Sequence, residues 1–107
     1  MKTSELTGAA LDWAVAKAEG RTDVRVDDDG ELVGQDEFDY STDWAQGGPI
    51  IEREKIAVWH RGDEWPWRAQ QSDTSHLKGG TTPLIAAMRC YVASKLGKEV
   101  EIPKELT

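Results

Sequence analysis

Residues 81–99 read TTPLIAAMRCYVASKLGKE, and this stretch decides the fold. Thr81 or Thr82 can cap a helix, Pro83 suits its first turn, and Gly97 ends it. Leu84, Ile85, Ala86, Ala87, Met88, Cys90, Tyr91, Val92, Ala93 and Leu96 make it apolar around most of its circumference. Such a helix is largely buried, so the rest of the chain must pack around it. At about 100° per residue, Tyr91, Ser94 and Lys95 fall on one side. Arg89 falls on the other, with Thr82, Ile85, Ala86, Val92 and Leu96. An arginine on the apolar side needs a partner, because an unpaired buried charge is costly. That partner is a carboxylate such as Glu52 or Glu54, or else an anionic ligand.

The helix opens on Gly79-Gly80-Thr81-Thr82-Pro83. Helix starts present free N–H groups, glycines let a ligand approach, and threonine hydroxyls add donors. The same five residues are also simply a good helix start. They are not a phosphate-binding loop of the Gly-x4-Gly-Lys-Ser/Thr kind, whose spacing is absent.

Upstream, Thr3 or Ser4 is expected to cap a first helix running to Ala18 and closed by Gly20. Leu6, Ala10, Trp13 and Lys17 form its stripe, with Trp13 as the anchor. DVRVDDDGELVG (23–34) changes to a period of two, and Asp29-Gly30 signals a hairpin. Its aspartates do not make an EF-hand: the first ligand position would be Arg25 and the last Asp36. Residues 34–49 read as a loop with room for one helical turn capped by Ser41 or Thr42. IIEREKIAVWH (50–60) reads as strand, RGDEWP as turn, WRAQQ as a partner strand, and SDTSHLKGG as a polar mobile segment. VEIPKEL is an extended tail.

In this reading Gly47-Gly48-Pro49 is a rigid corner that pins Trp44 beside the following strand. Ile50, Glu52 and Glu54 then face one way, and Ile51, Arg53 and Lys55 the other. Charge protection of a sheet edge explains that ladder. A corner carrying an indole also suits a pocket wall, since aromatic faces stack on flat groups. Trp65-Pro66-Trp67 cannot bury both rings in one direction, so one of them is expected at the surface or an interface.

The chain has 107 residues, enough for a single domain spanning 1–107. Five tryptophans supply core material and make a homodimer plausible. Cys90 is the lone cysteine, so no intrachain disulfide forms. No basic-then-apolar leader and no run of about 20 apolar residues appears, which points to a soluble cytosolic protein. The net charge of −7 is uneven. Residues 1–46 hold four Lys/Arg against twelve Asp/Glu, while residues 47–97 hold seven against five. A general nucleic-acid binder needs a continuous basic face, and this polarity argues against one. Catalysis finds little support. His60 and His76 lack companion ligands for a metal, and a cysteine inside a buried helix is ordinarily inert packing.

The blocks YSTDWAQGGPIIEREKI (40–56), WRA (67–69) and TTPLIAAMRCYVASKLGKEVEIPKEL (81–106), with the start LTGAALDWAVAKAEG (6–20), resemble the NinX-like proteins of tailed phages. The resemblance covers nearly the whole chain, with residues 56–78 the least typical part. It implies a phage accessory protein expressed in the cytoplasm of the bacterial host. It supplies no reaction, cofactor or catalytic residue. Small non-catalytic phage proteins of this class often counter host defence, by binding a defence protein or by sequestering a nucleotide-derived signal.

The expected fold is α+β, with two helices packed on a small, mostly antiparallel sheet. The expected function is non-enzymatic binding of a small anionic, nucleotide-like ligand, without cofactor or metal. The pocket is placed between the 43–49 corner and the start of the buried helix. Trp44 or Trp67 stacks on a ring, and Asp43 or Glu52 accepts hydrogen bonds. Gly47 and Gly48 shape the wall, Thr81 and Thr82 hold the anionic group, and Arg89 neutralises it. The alternative is an inhibitor or adaptor that meets a host protein through Asp27–Asp29 and Asp36–Asp39.

Overall fold

The computed structural model describes residues 1–62, 66–71 and 76–106. It is an α+β arrangement of three helices and two small antiparallel sheets. The helices are α1 (Gly8–Ala18), α2 (Trp44–Glu54) and α3 (Pro83–Leu96). Strands β1 (Arg25–Val26) and β2 (Leu32–Val33) form one sheet. Strands β3 (Ile56–His60), β4 (Trp67–Gln71) and β5 (Leu77–Gly80) form the other, in that order.

The apolar helix read from residues 81–99 is the axis of the molecule. Thr82 caps it, its hydroxyl accepting the Ile85 N–H at 3.1 Å. Every residue from Ala86 to Ala93 is buried. The three-stranded sheet, α1, α2 and a short 3-10 turn at Thr3–Glu5 all pack against it.

Residues 44–54 are the main departure from expectation: they form α2, not a corner followed by a strand. Asp43 caps this helix, its carboxylate accepting the Ala45 N–H at 2.9 Å. Gly47, Ile50, Ile51 and Glu54 share one face, spaced by three and four residues, and that face turns inward. Gly47 is there for close approach: a Cβ on it would lie 2.6 Å from Leu84 Cδ2 and from the Tyr40 carbonyl oxygen. Pro49 removes one bond of the helical ladder without ending it. Lys55, left-handed at φ 56°, ends the helix and turns the chain into β3. The molecule therefore has three helices rather than two, and the charge ladder of 52–55 lies on a helix end.

The first helix also begins later than its sequence suggests. Thr3 does not cap it. Its hydroxyl donates to the Gly97 carbonyl at 2.6 Å, and its N–H to the Lys98 carbonyl at 2.8 Å. Leu11 and Val15, both fully buried, anchor α1, while Trp13 is only partly covered. Residues 77–80, expected to be mobile, form the edge strand β5. The Asp29-Gly30 hairpin and the pairing of WRAQQ with the preceding strand are as expected. Trp65 and residues 72–75 lie outside the described residues. Among the described residues no helix is long and apolar enough to cross a membrane.

Candidate functional site

The segments expected to border one pocket do lie together, but the space between them is occupied. Leu84 and Met88 of α3 pack directly against Gly47. Asp43 is committed to capping α2. Trp44 projects outward, 55 % exposed, with its ring near Gly48. Glu52 is exposed on the far side of α2, and Thr81 and Thr82 are exposed at the start of α3. The Thr82 hydroxyl oxygen already serves as a cap. Gly80 leaves no gap for a ligand, since a Cβ there would meet the Ala86 backbone nitrogen at 2.7 Å. Trp67 packs edge-on to His60 with ring centroids 4.9 Å apart.

Arg89 leads elsewhere. It is 6 % exposed, and its guanidinium reaches out of the apolar helix between two other elements. Nε donates to the Leu6 carbonyl at 2.7 Å and Nη1 to the Gly79 carbonyl at 2.8 Å. Burial lowers its pKa from the ordinary arginine value. Neither Glu52 nor Glu54 is the partner in these bonds. Glu54 is held instead by Arg53 at 2.8 Å and Lys95 at 3.6 Å.

Beside Arg89 opens a cleft of about 650 Å³, lined by Ser4, Glu5, Arg68, Leu77, Lys78 and Gly79 as well. Three cations and one carboxylate thus share one concavity. β5 supplies its wall. Gly79, across from Arg68 in the strand register, has no side chain to cover it. Trp59 stands across from Arg68 on the other neighbour, so these side chains share the outer face of the sheet. Trp59 is 37 % exposed there. The sequence reading found Arg89 but missed Lys78, because it took 72–80 for a mobile segment, and it passed over Arg68. The alternation of WRAQQ already turned Arg68 away from Ala69.

A second concavity, about 700 Å³, lies on the acidic half, where Asp12, Glu31, Asp36, Glu37 and Asp39 line it. Among the described residues no group of His, Cys, Asp or Glu is arranged to hold a metal ion. Cys90 is buried, its thiol donating to the His76 carbonyl at 3.1 Å, and burial raises its pKa.

No curated protein matches this chain. A family described as Bacteriophage P22, NinX, matches residues 2–95, which takes in all three helices but for the last residue of α3, and both sheets. The chain therefore belongs to the phage NinX family.

Proposed function

We propose that this phage accessory protein is a non-enzymatic binder of a small anionic, nucleotide-like ligand, which it sequesters to counter host defence signalling. The observation that carries this reading is the cleft lined by Arg68, Lys78 and the deeply set Arg89. Its size suits a small molecule, and ligand sites usually combine a fixed cavity with a few charged groups. Arg89 supplies a rigid, pre-oriented cation because two carbonyls already hold it. Arg68 and Lys78 add two more cations to the lining. A homodimer remains part of the proposal, with exposed Trp44 as an apolar contact for a second copy.

The test is to purify the protein from bacterial cells, release any bound molecule by heat, and identify it by mass spectrometry. Titration calorimetry against a nucleotide panel follows. The expected result is an intact nucleotide, bound at least about tenfold more weakly by the Arg68→Ala, Lys78→Ala double variant. Equal binding by that variant, or no nucleotide bound even at low salt, defeats the reading. An altered product released in place of an intact ligand would make the protein an enzyme.

A further inference from the structure

The cleft proposed above as a ligand site has a wall made of backbone as well as of cations. That wall is the free edge of β5, and the ladder register fixes which of its groups face the cleft. The Arg61 N–H donates to the Pro66 carbonyl at 2.6 Å, in line with the register of β3 and β4. Trp59 and Arg68 therefore form the next hydrogen-bonded pair, and Arg68 turns its backbone groups toward β3. By alternation Trp67 and Ala69 turn theirs toward β5, where they meet Gly80 and Lys78. Leu77 and Gly79 must then direct N–H and C=O away from the sheet. The structure bears this out at Gly79, whose carbonyl accepts Arg89 Nη1 at 2.8 Å. Leu77 is the other outward residue of the strand. Among the described residues no group bonds to its N–H or its C=O.

An open pair at a sheet edge is ordinarily just solvated. This one lines the cleft together with Lys78 and Arg89. In an extended residue the outward N–H and C=O lie side by side, so they can exchange two hydrogen bonds with one flat partner. A nucleobase edge, with a donor and an acceptor on neighbouring atoms, makes that match. A polypeptide strand suits it less, because Arg89 already occupies the Gly79 carbonyl and stops the ladder one step on. Gly79 lies two residues along, about 7 Å at the rise of a strand. A base seated at Leu77 thus leaves its ribose running along β5 and its phosphate beside the Arg89 guanidinium. Resting on the nucleotide-binding reading above, we infer that the Leu77 backbone pair reads the base edge of the bound nucleotide, with the phosphate at Arg89.

The probes are the common nucleoside 5′-monophosphates and ribose 5-phosphate, titrated into the full chain by calorimetry. At least one nucleotide is expected to bind about tenfold or more tightly than ribose 5-phosphate. Leu77→Pro removes the N–H without touching the β4 ladder, since that group faces outward, and proline is tolerated on such an edge. It is expected to weaken the nucleotide by about tenfold and to leave ribose 5-phosphate unchanged. Leu77→Ala keeps the backbone pair and is expected to keep the margin. Three outcomes overturn the inference while the binding proposal stands: ribose 5-phosphate binding as tightly as every nucleotide, Leu77→Pro binding the nucleotide as the parent does, or Leu77→Ala losing as much as Leu77→Pro. No binding of any probe at low salt defeats both. If Leu77→Pro fails to fold, the Leu77 amide proton of the unaltered protein decides by NMR. It must move downfield and exchange more slowly on saturation with the nucleotide, and an unmoved signal refutes the base contact.

Discussion

Arg89 shows how one side chain can serve scaffold and cleft together. Its two described bonds end on carbonyls of Leu6 and Gly79, so it ties α3 to the first turn and to β5. Arg89→Ala leaves both carbonyls short of a donor and opens a void, and is expected to destabilise the protein by about 3 kcal/mol in urea unfolding. Arg89→Lys, with a single ammonium, reaches one carbonyl and is expected to recover about half of that. Asp12 makes the opposite contribution. Its folded pKa is raised, by burial first, so the penalty on the charged form is present at neutral pH. It fades as pH falls through the folded value and is gone below the unfolded value of about 3.9. Asp12→Asn is therefore expected to unfold at higher urea than the parent at pH 7. That advantage must shrink on acidification, and an advantage independent of pH would contradict the burial argument. The sequence pointed to Arg89 through its place on an apolar helix. It gave no hint of Asp12, because the α1 stripe was drawn through Trp13 while Leu11 and Val15 are the residues that turn inward.

At the scale of elements, α3 was legible because its cap, proline, apolar circumference and terminal glycine agree. α2 was not, because Gly-Gly-Pro reads locally as a turn. Helix signals were present in the Asp43 cap and in the inward spacing of Gly47, Ile50, Ile51 and Glu54. They were outweighed by the dipeptide, and tertiary packing on α3 settles the contest. The two glycines now separate a corner from a helix. Apart from its chain neighbours and the helix backbone, a Cβ at Gly48 meets the Trp44 ring, at 3.8 Å. Gly48→Ala is thus expected to change stability by less than about 1 kcal/mol in thermal unfolding, the helical gain being offset by crowding against the Pro49 ring. Gly47→Ala is expected to destabilise it by about 1–3 kcal/mol, since it forces α2 away from Leu84. Equal effects at both positions would speak against the α2 geometry. β5 was missed for another reason: two glycines follow Leu77 and Lys78, and an edge strand at the end of a polar run carries little pattern.

At the scale of the molecule, the N-terminal residues are tied to the segment that follows the axial helix. The Met1 amine and carbonyl bond with Val100 at 2.9 and 3.0 Å, and Thr3 bonds with Gly97 and Lys98. Thr3 is fully buried, so Thr3→Val is nearly isosteric and removes one buried hydrogen bond. It is expected to destabilise the whole protein by about 1–2 kcal/mol in a single cooperative urea transition. A separate early transition confined to the N-terminal turn would show that this tie stabilises only the local segment. The same network logic joins the far ends of α1 and α2. Tyr91 donates to Glu19, and Arg53 bridges Glu19 at 2.6 Å and Glu54 at 2.8 Å.

Since Arg89 is fixed by the scaffold on one side and borders the cationic cleft on the other, occupancy and folding share a common currency. A molecule that settles against it binds only the native form, and so lifts the midpoint of heat denaturation in proportion to the logarithm of its concentration. A dye-based melting screen over a library of bacterial metabolites therefore tests the proposed binding without any assay of activity, and a melting point unmoved by every compound counts against it.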